Sequence, residues 1–122
     1  MAQIRHLAIL TENVERLVKF YTEAFGMKVV EGVGTATYVS DGQINLAIIP
    51  IGPEGKVEGH TLKGGLYHFG FEVENIDALR SRCQELGAAT EIQKRPTNRE
   101  AEYRVHDPDG NPIDLSQHGW PT

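Results

Sequence analysis

The chain repeats itself. Ile4-Arg5-His6-Leu7-Ala8-Ile9 is matched 62 residues later by Leu66-Tyr67-His68-Phe69-Gly70-Phe71. At the same offset Glu12-Asn13-Val14-Glu15 matches Glu74-Asn75-Ile76-Asp77, and Leu17 matches Leu79. Asp41-Gly42-Gln43-Ile44-Asn45-Leu46-Ala47 then resembles Asp109-Gly110-Asn111-Pro112-Ile113-Asp114-Leu115-Ser116 at an offset of 68 or 69, which puts an insertion in the second half. Three matches in one order mark a duplicated supersecondary unit.

Each half reads as strand, helix, then three strands. In the first, a strand around Gln3 to Leu10 precedes Asn13, whose side-chain oxygen suits a helix N-cap. Glu15 places negative charge in the first turn, where the helix dipole favours it. Val14, Leu17, Val18, Tyr21 and Phe25 form one apolar stripe at helical spacing, and Gly26 is a stop signal. The second half copies this with Asn75 as cap, a stripe of Ile76, Leu79, Cys83 and Leu86, and Gly87 as stop. Short β-rich runs follow each helix, at 27–31, 35–39 and 43–49, then at 90–94, 102–106 and 112–116. Asp41-Gly42 and Asp109-Gly110 are hairpin-turn signals. The expectation is an α+β chain of two βαβββ modules within one domain, 1–122. Module one covers about 1–51 and module two about 66–122, with a linker at about 52–65 that holds five glycines.

Composition narrows the function classes. The chain is 39% hydrophobic and 24% charged, the balance of a globular protein, and its length suits one domain. A formal charge of −5 with scattered Lys and Arg argues against nucleic acid as a partner. No apolar run reaches the roughly 20 residues of a membrane span, and the N-terminus lacks the apolar core of a signal peptide. The expectation is a cytoplasmic location and a small-molecule partner. The single cysteine, Cys83, excludes an internal disulfide framework and a multi-cysteine zinc site.

Strand side chains alternate between faces, so parity decides which can meet. If Ile113 and Leu115 pack on a helix, Asp114 and Ser116 face the other way. If Ile44, Leu46 and Ile48 pack, Asn45 and Ala47 turn the same way as Asp114. Tyr103 and Val105 are the apolar set of the seventh strand, leaving Glu102, Arg104 and His106 on the open face. His6 is open-facing by the same logic, beside inward-packing Leu7 and Ile9. Two curved sheets with polar members turned inward would enclose a cleft, where His6, His68 and Asp114 converge. Two neutral imidazoles and one carboxylate suit one divalent ion: Fe, Zn, Mn, Co or Ni. Three protein ligands leave positions open for substrate, as in catalytic sites.

Arg104 is a candidate to clamp a substrate carboxylate or phosphate, or else to pair with Glu102. Asn45 is a candidate substrate hydrogen-bonding group, and Glu102 a candidate general base. His60, His106 and His118 are expected to be solvated, Cys83 to be inert packing, and Asp107 and Asp109 to form a turn.

With these residues in view, the chain resembles the vicinal oxygen chelate superfamily, the glyoxalase, bleomycin-resistance and extradiol-dioxygenase group. The resemblance rests on His6, on Phe20-Tyr21 through Phe25-Gly26-Met27, on Tyr67-His68-Phe69-Gly70-Phe71, and on Asp107-Pro108-Asp109-Gly110-Asn111-Pro112-Ile113-Asp114-Leu115. It implies paired βαβββ modules in a cup-shaped mixed sheet around a divalent metal, often as a homodimer, with substrate chelating through vicinal oxygens. The family's ligands carry over onto His6, His68 and Asp114. Two departures stand out. The usual final ligand is Glu, one methylene longer than Asp114. Glyoxalase I has a carboxylate where this chain has Asn45, which disfavours that activity; epimerase-like members have an amide there, a longer Gln.

The resulting expectation is a mononuclear metal enzyme, with dioxygenation ahead because two His and one carboxylate are the Fe(II) oxygenase arrangement. A lyase, isomerase or transferase of glyoxalase, epimerase or fosfomycin-resistance type stands close behind. A non-catalytic protein that sequesters its ligand, of bleomycin-resistance type, is the alternative from another class.

Overall fold

A computed structural model describes residues 2–32, 34–52, 56–57, 60–61, 64–96 and 101–122, with only the backbone of 56–57 and 60–61. The elements in chain order are β1 (Gln3–Thr11), α1 (Val14–Phe25), β2 (Lys28–Val30), β3 (Thr37–Ser40) and β4 (Asn45–Pro50). Then come β5 (Lys56–Val57), β6 (His60–Thr61), β7 (Gly65–Glu72), α2 (Ile76–Glu85), β8 (Gln93–Lys94), β9 (Tyr103–His106) and β10 (Pro112–Ser116). The α+β class and the twofold βαβββ order are as expected. The linker is not featureless, however: β5 and β6 form an antiparallel pair, and β7 already begins at Gly65. The side chain of His60 lies outside the described residues.

The main sheet has the strand order β2-β3-β4-β1-β7-β10-β9-β8. The chain divides into two compact units, residues 1–6 with 68–120, and residues 7–67 with 121–122. The first therefore contains His6, His68 and Asp114 together.

In that unit β10 runs parallel to β7 and antiparallel to β9. Val73, Ile76, Ile92, Val105 and Leu115 form its buried cluster, with Leu79, Cys83, Tyr103 and Ile113 packed against it. Asn75 caps α2 by accepting from the Ala78 N–H at 3.1 Å. Leu86 departs from the expected stripe. It is 63% exposed, because the helix ends at Glu85 and leaves Leu86 as the C-cap.

In the other unit, β3 separates two clusters by alternation. Val39 joins Leu46 and Ile48 under Val14, Leu17, Val18 and Tyr21 of α1, whereas Tyr38 joins Ala8 and Ala47. Asn13 caps α1 by accepting from the Arg16 N–H at 3.0 Å, and Gly26 closes it at φ 72°, a left-handed conformation that favours glycine. Phe25 was expected in the stripe but is 68% exposed and meets Phe20 and Tyr21 instead. Among the described residues, no helix is long and apolar enough to cross a membrane.

Candidate metal centre

Alternation along three strands builds the site. In β10, Leu115 and Ile113 go to the apolar cluster, which turns Asp114 to the opposite face. Asp114 stands opposite Gly70 of β7 and opposite Arg104 of β9. His68, two residues before Gly70, shares that face of β7.

The approach to β10 is fixed by a turn with its own hydrogen bonds. Asp107 Oδ1 accepts from the N–H groups of Asp109 and Asn111 at 3.0 and 2.9 Å, and Asp107 Oδ2 accepts from the Asn111 amide at 2.8 Å. The Asn111 side chain, then its backbone N–H, hold the Asp107 carboxyl below its ordinary value. Gly110 completes the turn at φ 87°. Asp107 thus has the turn role its sequence context suggests.

His6, His68 and Asp114 are all buried, at 3%, 6% and 5% exposure. His6 Nε2 lies 3.1 Å from His68 Nε2, and His68 Nε2 lies 3.2 Å from Asp114 Oδ2. One potential ligand atom from each residue lies within 4.8 Å of the others, so the trio could hold a metal ion. With both Nε2 atoms unprotonated, two imidazole nitrogens and a carboxylate oxygen this close would bring lone pairs together. Such a set calls for a shared proton or a cation, and its donor chemistry fits a borderline divalent metal.

Arg104 Nε donates to Asp114 Oδ1 at 2.5 Å, with both side chains buried. The guanidinium therefore meets a carboxylate of the protein itself. Burial alone pushes the Asp114 carboxyl up, but the hydrogen bonds and charges of His68 and Arg104 outweigh it and hold the group well below the usual carboxylate range. Asp114 consequently stays anionic, with Oδ1 pinned and Oδ2 turned to His68.

Two further candidates are engaged elsewhere. Glu102 accepts from Ser116 Oγ at 2.7 Å and from the Gln117 N–H at 2.8 Å, and its Oε2 lies 2.9 Å from His118 Nδ1. Partial burial raises its carboxyl, yet these partners more than offset that and hold it below its ordinary value. Such contacts suit an anchor better than a proton acceptor. Asn45 belongs to the other unit, where its buried amide donates to the Pro121 carbonyl at 2.9 Å.

The sequence reading missed Trp120. Its ring stacks on His6 with centroids 4.7 Å apart and planes within 2°. It is the only tryptophan, but it lies beyond the last strand, where no periodicity assigns a face. His118 is not simply solvated either, given its contact with Glu102. His106 meets Thr90 through Nδ1 at 3.2 Å.

The model of the Glyoxalase/Bleomycin resistance protein/Dioxygenase superfamily matches residues 3–115. The chain belongs to this superfamily. Among curated proteins it is similar to human mitochondrial methylmalonyl-CoA epimerase, at 27% identity over 88 residues, 64% of this chain and half the length of that protein. Among solved structures, methylmalonyl-CoA epimerase from Mycobacterium tuberculosis superposes with a TM-score of 0.65 at 16% identity, covering 92% of this chain and 85% of that one. Homoprotocatechuate 2,3-dioxygenase from Brevibacterium fuscum, in its anaerobic complex with 3,4-dihydroxyphenylacetate, gives 0.70 at 20% identity. That match takes in 98% of this chain but 37% of the dioxygenase. At such identities the structural matches establish the superfamily fold alone. They leave its chemistry to the site.

Proposed function

We propose that this superfamily member is a mononuclear divalent-metal enzyme whose ligands are His6, His68 and Asp114, acting on a small substrate that chelates through two neighbouring oxygens. The observation that carries this reading is the convergence of three buried ligand atoms within 4.8 Å. A bound divalent ion would supply Lewis acidity to substrate oxygens in the positions that three protein ligands leave open.

The chain's own residues prepare that role. Asp114 contributes one negative charge through Oδ2 while Arg104 fixes Oδ1. Arg104 and Asp114 cancel in charge, and ligation to an ion requires both imidazoles unprotonated, so the ion would bring its full charge to the substrate. Burial keeps the surrounding dielectric low, which strengthens that charge's pull on an oxyanion.

Ring-cleaving dioxygenation is the leading reaction, because two histidines and one carboxylate with open positions are the Fe(II) oxygenase ligand set. The sequence similarity to methylmalonyl-CoA epimerase favours a second reading, proton transfer next to a carbonyl. One pair of assays separates them. Fe(II)-loaded protein is given catechols under oxygen, and oxygen uptake is followed with ring-cleavage absorbance. Co(II)- or Mn(II)-loaded protein is given methylmalonyl-CoA in D₂O, and deuterium entry at the α-carbon is followed by NMR. Catechol-dependent oxygen uptake supports the first reading; deuterium exchange without oxygen use supports the second and rejects the first.

A further inference from the structure

We infer that Trp120 is a positioning residue for the site, holding the His6 ring in the orientation that brings its Nε2 toward His68. The inference rests on the metal reading only for its effect on affinity.

Three observations carry it. The indole lies flat on the His6 imidazole, with planes within 2°, and is itself buried. A flat stack constrains the ring plane, which no hydrogen bond at Nε2 alone can do.

The indole has a reserved place on β7. A methyl added at Gly70 would come within 2.7 and 2.9 Å of two Trp120 ring carbons, closer than carbon atoms pack. Glycine there lets the ring lie against the strand that carries His68.

The segment leading to Trp120 is tied down. Ser116 Oγ accepts from the Gly119 N–H at 2.9 Å, Glu102 accepts from the Gln117 N–H, and Glu102 meets His118. Gly119 has φ 81°, where an added Cβ would also strike the Glu72 carboxylate. These contacts give Glu102 and Ser116 a purpose: they anchor the strap that delivers Trp120. Outer partners that orient a metal-ligating histidine typically change metal affinity about 10- to 100-fold when removed.

The test compares wild type, Trp120→Ala, Trp120→Phe and Gly70→Ala, each first checked for folding by backbone amide NMR. In metal-free wild type, the His6 ring protons are expected to be shifted upfield by the indole ring current. Trp120→Ala should abolish that shift and Trp120→Phe should keep part of it. Zn²⁺ affinity, measured by chelator competition, should fall about 10- to 100-fold in Trp120→Ala and recover largely in Trp120→Phe. Gly70→Ala should lose the shift, because its methyl would displace the indole; its affinity does not isolate Trp120, since that methyl would also lie 3.2 Å from the Asp114 backbone carbonyl oxygen. Unshifted His6 protons in wild type, or wild-type affinity in Trp120→Ala while His6→Ala loses the metal, would overturn the inference. Wild type that takes up no Zn²⁺ rejects the metal reading instead, and the ring-current comparison still decides whether Trp120 holds His6.

Discussion

Arg104 and Asp114 face each other across the β9–β10 ladder, with the guanidinium Nε 2.5 Å from the carboxylate Oδ1. The pair divides the labour of the two carboxylate oxygens: one neutralised and fixed, the other facing His68. This arrangement bears on one of the two departures from the family pattern, the shorter Asp114 where the usual ligand is Glu. A shorter acid can still serve as ligand if its strand neighbour holds it in one rotamer. Asp is itself a common ligand at roughly 2.0–2.2 Å.

The pair gives a prediction about stability. Arg104→Met should destabilise the metal-free protein by about 3–5 kcal/mol, because it removes the cationic partner of a buried carboxylate and leaves only His68 beside it. A divalent ion would then replace the missing positive charge. Zn²⁺ should accordingly raise the melting temperature more in Arg104→Met than in wild type, by ligand linkage. Equal shifts in calorimetry would argue against an ion seated beside Asp114.

Substitution at Asp114 probes the ligand directly. Asp114→Asn should weaken metal affinity by about one order of magnitude or more, through loss of an anionic donor. Asp114→Glu should retain the ion. Isothermal titration giving the same affinity for wild type and Asn would remove Asp114 from the ligand set.

The acid limb of stability should also report Asp114. A carboxyl held lower in the folded than in the unfolded chain adds stability above its ordinary value of 3.8, and that stability drains away as pH falls below it. Urea unfolding of metal-free protein should therefore show stability declining as pH drops below about 4, with a shallower decline in Asp114→Asn. Identical slopes would mean that His68 and Arg104 do not stabilise the ionised carboxylate.

Substitutions separate buried from exposed apolar residues. Leu115→Ala, at a 2% exposed position, should cost about 2–5 kcal/mol. Leu86→Ala, at 63% exposure, should stay within about 0.5 kcal/mol of wild type. Chemical denaturation measures both.

The parts of this molecule legible in its sequence are those governed by short-range periodicity. Strand parity turned Asp114 and Arg104 to one face because Ile113, Leu115 and Val105 must pack on the other. Asn13 and Asn75 declared their caps because a capping oxygen acts three residues away, on Arg16 and Ala78. Phe25 and Leu86 were misjudged at helix ends, where the stripe runs out of neighbours before the spacing does. The partners of Arg104 and Glu102 were open because parity gives a face, not a contact. Trp120 was invisible for a stronger reason. Its place depends on Gly70, 50 residues earlier, and on a strap stabilised by Ser116 and Glu102 rather than by any repeating pattern.

The central claim is that His6, His68 and Asp114 hold one catalytic metal ion. Elemental analysis of protein purified anaerobically without chelators, then offered each first-row divalent ion in turn, tests it most directly. The expected result is about one ion per chain in wild type, lost in His6→Ala and His68→Ala variants that keep the wild-type fold. Wild type that takes up no ion above background, or histidine variants that retain it at wild-type stoichiometry, would contradict the claim.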